Sequence, residues 1–133
     1  MNMPFASSGV RDAQDHGAHF ATLDPRAGYI TIINTYEVEP ERADALLNLL
    51  ARATAETIRF IPGFISASFH VNFDRSQIVN YAQWESQEAI AAARENASVA
   101  ARIAEAAEIA KSFTPIPYKL RHSVVAHRYD ATG

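Results

Sequence analysis

Val79-Asn80-Tyr81-Ala82-Gln83-Trp84 is the stretch on which the fold turns. It is short, rich in β-branched and aromatic residues, and follows a turn-like Asp74-Arg75-Ser76, so it reads as a strand. Side chains alternate across a strand, which puts Ile78, Asn80, Ala82 and Trp84 on one face and Val79, Tyr81 and Gln83 on the other. An amide and an indole on an otherwise apolar face mark the stretch as a candidate site.

Working outward, Phe64 to Phe73 is a strand before that turn, and Tyr29 to Val38 is the first strand of the chain. Between them Pro40 suits the first turn of a helix, and Leu46, Leu47, Leu50, Ala53, Thr54, Thr57, Ile58 and Ile61 recur at helical spacing until Pro62-Gly63. After Trp84, Ser86 is a candidate N-cap, and an alanine-dominated helix runs from Gln87 to Lys111 with a break near Asn96-Ala97-Ser98 and a fresh cap at Ser98. Pro115 and Pro117 belong at a strand start or edge, and Tyr118 to about His127 is the last strand. Residues 1–28 show no hydrophobic period and read as a flexible arm; 29–127 form the domain; 128–133 are a polar tail.

The order β-α-β-β-α-β predicts an α+β, ferredoxin-like protomer with an antiparallel sheet in which strands 1 and 3 are central neighbours. Helices cover one face. Ile65, Ala67, Phe69, Val71 and Phe73 of strand 2, with Val79 and Tyr81, are expected on the other, where a second copy would bury them in a face-to-face homodimer, a dimeric α/β barrel.

The bulk properties narrow the function classes. A chain of 133 residues is one domain by length, and 48% hydrophobic with 20% charged residues is ordinary for a soluble protein. A net charge of −3 without a basic run argues against nucleic acid as partner. There are no cysteines, hence no disulfide, thiolate metal site or Cys nucleophile. No apolar run approaches the roughly 18 residues of a membrane span, and the N-terminus lacks a signal-peptide pattern, so a cytoplasmic location is expected. His16 and His19, three apart in the arm, lack further ligands nearby and read as exposed side chains rather than a metal site.

The candidate chemistry converges on the helix-covered face. Asn34 on strand 1 and Asn80 and Trp84 on strand 3 fall on adjacent strands, with Tyr36 and Ala82 beside them and Ser68 and His70 on strand 2. His70 joins under one condition: a three-residue turn, Asp74 to Ser76, pairs Phe73 with Gln77 and sets His70 opposite Asn80, whereas a two-residue turn sends it to the other face. Singly, each amide reads as a satisfied core group, the indole as apolar filling, and the alanine-rich helix as plain helix propensity. So many polar groups in one half-buried patch are costly without a ligand to bind.

Ile61-Pro62-Gly63-Phe64-Ile65-Ser66-Ala67 followed by Val79-Asn80-Tyr81-Ala82-Gln83-Trp84 closely resembles the antibiotic biosynthesis monooxygenase family, and within it the cofactor-free anthrone oxygenases of aromatic polyketide pathways. The likeness runs from about Tyr29 to Val125. It implies dimeric α+β barrels that oxidise an anthrone or quinol-type phenol to a quinone with molecular oxygen, without flavin, haem or metal. It also implies catalytic roles for Asn34, Asn80, Trp84 and His70, and a substrate-binding set of Asn34, Tyr36, Ser68, His70, Asn80, Ala82, Trp84 and Arg102. Two departures stand out. A tyrosine found in some members falls on Ile90 here, and an arginine aligns only loosely, with Arg102 nearest. Relatives that degrade haem carry a helix histidine where this chain has Arg94. A non-catalytic small-molecule-binding or accessory barrel is the alternative from another class.

Overall fold

The structure, a computed structural model, describes residues 21–129. Its sheet has four strands, β1 (Ile30–Glu37), β2 (Phe64–Val71), β3 (Gln77–Trp84) and β4 (Ser112–Lys119), in the order β2-β3-β1-β4. All neighbouring pairs are antiparallel, and β1 and β3 are the central pair, as the alternation in their sequences requires. Helices α1 (Ala43–Glu56), α2 (Gln87–Arg94) and α3 (Ala97–Ile109) cover one face. This is the ferredoxin-like α+β fold.

The elements end where local chemistry stops them. Pro40 opens a short 3-10 turn before α1, and a second 3-10 turn, Ile58–Phe60, replaces the last turn expected of that helix. The Ser86 hydroxyl accepts from the Ala89 N–H and caps α2. The break between α2 and α3 falls where expected, but the cap is Asn96, whose side chain accepts from the N–H groups of Ser98 and Val99. Leu46, Ile78 and Val38 are fully buried between α1 and the sheet, with Tyr36, Ala43, Leu50 and Ala106 around them. A second cluster under α2 joins Ile32, Ala82, Trp84, Ile90 and Ala93.

Three expectations are corrected. The β2–β3 connection is not a three-residue turn: the backbones of Asn72 and Gln77 pair, and the Asn72 Oδ1 accepts a further bond from the Gln77 N–H. Residues 73–76 therefore form a four-residue loop, with Arg75 at φ 66° and Asp74 Oδ1 accepting from the Ser76 N–H and hydroxyl. One extra loop residue shifts the register by one, so Phe69 pairs with Asn80 and His70 with Val79. Ala67, Phe69 and Val71 consequently face the helices rather than the open side, and Phe73 stands in solvent.

The last strand is Ser112–Lys119, six residues earlier than expected at its start. Both prolines lie inside it, which an edge strand tolerates, and this placement matches the whole of β1, from Glu37–Ser112 to Ile30–Lys119. Of the arm, residues 1–20, with His16 and His19, lie outside the described residues. Residues 21–28 reach the sheet, where the Thr22 carbonyl accepts from Gln83 Nε2 and Gln83 Oε1 accepts from the Ser66 hydroxyl. This relay accounts for the burial of Gln83 on the face away from the helices.

Candidate active site

A cavity of about 160 Å³ lies between the sheet and the helices. Its floor is the inward row of the central strands: Ile32, Asn34 and Tyr36 from β1, and Asn80, Ala82 and Trp84 from β3. The ladder sets these directly opposite one another, Asn34 with Asn80, Ile32 with Ala82, Tyr36 with Ile78. Two amides thus face each other in the middle of an apolar floor. A bulge at Ile65 lets both Phe64 and Ala67 point inward, and Phe64 meets Trp84 edge-to-face with ring centroids 5.4 Å apart. Phe113 and Pro115 of β4 close one side, and Phe113 stacks on Tyr36 at 4.8 Å. Ile90, Ala93 and Arg94 of α2, with Val99 and Ile103 of α3, form much of the roof.

One polar group here is not spent on the fold. Asn80 Oδ1 is buried and has no hydrogen-bond partner among the described residues. A satisfied core amide would not leave it so, because an unpaired buried acceptor costs on the order of 1–3 kcal/mol. Burial pushes the Tyr36 hydroxyl up to about 12 from 10.0, which keeps it a proton donor throughout the ordinary pH range. The unfolded chain ionises its tyrosines near 10 while native Tyr36 stays neutral. Stability is therefore held below about pH 10 and lost as pH rises from 10 to about 12. Absorbance titration at 295 nm should show one late-ionising tyrosine that is absent in Tyr36→Phe; a single common titration near 10 would contradict the burial.

The structure brings together Asn34, Tyr36, Asn80, Ala82 and Trp84 of the expected set. It does not bring in Ser68, His70 or Arg102. Ser68 and His70 pair with Tyr81 and Val79 on the face away from the helices, the direct result of the longer β2–β3 loop. Arg102 is held outside the cavity between α1 and α3, bonded to Thr57 Oγ1 at 3.3 Å, to Glu56 at 2.9 Å and to Glu105 at 3.5 Å. Ile90 does line the pocket, so an aliphatic side chain occupies the place where some relatives have tyrosine. Sequence reasoning did not count Arg94 or Phe113 among the site residues. The signal for Arg94 was its spacing, four residues after Ile90 on the same helix face. Phe113 was hidden by the misplaced last strand.

A ferredoxin-like sheet with a helix-roofed pocket floored by facing amides defines a small α+β protein with one candidate site between its layers. Comparison with known proteins makes this specific. The family profile described as antibiotic biosynthesis monooxygenase matches residues 29–105. Tetracenomycin-F1 monooxygenase of Streptomyces glaucescens is 43% identical over 67 residues, half of this chain. That match spans 60% of the length of the curated relative. A monooxygenase from the gene ActVA-Orf6 of Streptomyces coelicolor, solved with nanaomycin D, is 31% identical with a TM-score of 0.61, covering 77% of this chain and 96% of that one. SnoaB, a cofactor-independent oxygenase from Streptomyces nogalater, shares the fold at 18% identity and a TM-score of 0.65, over 73% of this chain and 97% of its own. The chain belongs to the antibiotic biosynthesis monooxygenase family. Among the described residues, no helix is long and apolar enough to cross a membrane.

Proposed function

We propose that this protein is a cofactor-independent monooxygenase that oxidises an anthrone or quinol-type polyphenol to a quinone with molecular oxygen, in aromatic polyketide or quinone metabolism. The observation that carries this reading is the unpartnered Asn80 Oδ1 facing Asn34 across the floor of an aromatic-lined pocket. The names of the similar proteins point the same way.

In this scheme an anthrone lies between Trp84 and the α2–α3 roof. Asn80 Oδ1 accepts from a ring hydroxyl, and the amide N–H groups of Asn80 and Asn34 stabilise the oxygen on which charge grows as the ring methylene loses a proton. Water takes that proton, since His70 lies on the far face and Tyr36 is held neutral. The carbanion gives one electron to oxygen, and the two radicals combine into a peroxide on that carbon. Loss of the second methylene proton with cleavage of the O–O bond leaves a carbonyl. The proton lost first returns to the outer peroxide oxygen, so O–O cleavage expels hydroxide; Tyr36 protonates it to water and recovers its own proton from the one the methylene lost second, while the inner oxygen stays in the product.

A homodimer is part of the proposal. The sheet face away from the helices carries Ile33, Val79 and Tyr81 in mid-sheet, with Ile116 and Tyr118 of β4 exposed beside them. Such a row favours a second copy of the same face.

The test is oxygen uptake with simultaneous absorbance scanning on metal-stripped protein and dithranol, a simple anthrone. The expected result is quinone formation above autoxidation, with one oxygen consumed per quinone. Binding of dithranol without turnover would replace the oxygenase with a non-catalytic binding barrel.

A further inference from the structure

Gln83 is only 2% exposed, although it lies on the sheet face that the helices do not reach. Its amide is held at both ends. Oε1 accepts from the Ser66 hydroxyl at 2.6 Å, and Nε2 donates to the Thr22 carbonyl at 2.8 Å. The family match begins at residue 29, so the Thr22 contact comes from a part of the chain outside it. That carbonyl decides which way the amide points. A hydroxyl donates or accepts but a backbone carbonyl only accepts, so Thr22 keeps Nε2 on its own side and turns Oε1 toward Ser66. Ser66 is the first paired residue after the β2 bulge: Phe64 pairs with Trp84 and Ser66 with Gln83, which leaves Ile65 without a partner. Among the described residues β3 is the only neighbour of β2, so no second strand supports the ladder where the bulge interrupts it. The Ser66–Gln83 bond spans this weak point.

We propose that Gln83 is a positioning residue of the pocket, a clamp between Ser66 and the Thr22 carbonyl that holds the β2 bulge and through it seats Phe64 against Trp84. Phe64 and Ala67 are three residues apart and would point to opposite faces of a regular strand; the bulge is what turns both of them into the cavity. Phe64 then meets Trp84 edge-on, with the ring planes at 83°. Gln83 and Trp84 are consecutive on β3, so the clamp stands on the outer face directly behind the aromatic wall it steadies. Asn80 lies four residues from Trp84 along the same strand, and its partner Asn34 is on β1. Loosening the clamp therefore acts on how tightly a ring system is held and not on the amides. The inference deepens the oxygenase reading, and rests on it only for its kinetic readout.

The test uses the full chain with four single substitutions and one double. Gln83→Met is apolar and of similar length and loses both bonds. Ser66→Ala loses one, and Ser66→Thr keeps the hydroxyl. Gln83→Met should raise KM for dithranol about five- to tenfold with kcat within about twofold of wild type, the mark of lost uniform binding. Without any ligand, the near-ultraviolet circular dichroism band of Trp84, the sole tryptophan, should weaken in the same variant. Ser66→Ala should move both readouts in the same direction, and Ser66→Thr should restore them. Phe64→Leu should reproduce the effect, and Phe64→Leu/Gln83→Met should be no worse than either single variant, because Gln83 acts through Phe64. Two results would overturn the clamp: a Gln83→Met protein that loses stability but keeps the wild-type KM and tryptophan band, or effects of the two substitutions that multiply in the double variant. If wild type leaves dithranol unoxidised, the oxygenase reading fails while the tryptophan band still decides the clamp.

Discussion

Asn80→Ala should lower the rate of anthrone oxidation by about 10²–10³-fold while leaving the protein as stable as before, or slightly more so. The rate effect follows from the place of the amide. It stands in mid-floor, paired with Asn34, where charge would develop on the ring oxygen, and loss of one preorganised donor at such a point typically costs that factor. The stability effect has the opposite sign because Asn80 Oδ1 has no partner to lose. Removing a buried, unsatisfied acceptor relieves a desolvation penalty that offsets the small cavity left behind. The two measurements belong together: initial rates of quinone formation, and the urea midpoint of the same preparation. A core amide would show the reverse pattern, with stability lost and rate kept. An unchanged rate would place the chemistry elsewhere.

Gly63→Ala should destabilise the fold by about 2–5 kcal/mol and disturb the pocket as well. Gly63 sits at φ 90°, a left-handed conformation that costs an L-residue roughly 1–2 kcal/mol. A Cβ built there would overlap the Cβ of Ala89 in the first turn of α2, and forced overpacking adds about 1–3 kcal/mol. The neighbourhood has little room to yield. The Gly63 carbonyl accepts from the Glu85 N–H at 2.8 Å, and Ala89 is tied to the Ser86 cap at 3.1 Å. Relief of the overlap must lift α2, which carries Ile90, Ala93 and Arg94 over the ligand site. Ala89→Gly in the same chain removes the overlap but not the backbone strain, so a double-mutant cycle should return a favourable coupling of about 1–3 kcal/mol. Strict additivity would show that the two residues do not touch.

Much of this was legible in the sequence because period-two alternation is a strong signal on a half-buried strand. The inward row of β3, with Asn80, Ala82 and Trp84, and that of β1, with Asn34 and Tyr36, followed from parity alone; that Asn34 stands directly opposite Asn80 is a matter of register, which only the structure gives. Parity fails when a turn is miscounted. Asn72 reads as a strand residue by position, yet its side chain bonds back to Gln77 and sets the loop length, and that one residue moved Ser68 and His70 away from the site. The last strand was displaced because two prolines in three residues look like an interruption. Only the pairing with all eight residues of β1 shows that they stand on an edge where a donor is not required. Arg102 illustrates a helical version of the same limit. Its neighbour Ile103 lines the cavity, but a step of 100° about α3 turns Arg102 toward Glu56 and Thr57 of the α1 end.

Those prolines have a consequence for growth of the sheet. The register with β1 runs unbroken past Pro115 and Pro117, so the donors they lack are missing from the outer edge of β4. An incoming strand there would meet carbonyls with no N–H between them across the middle of the edge. A fibre that grows by adding strands needs two sticky ends, one to receive and one to offer. Among the described residues this sheet has a blunt end at β4 and an unpaired one at β2, so chains that meet edge to edge through β2 can join as a pair and then stop. The same two residues that obscured the strand in the sequence thereby make it a terminus for polymerisation.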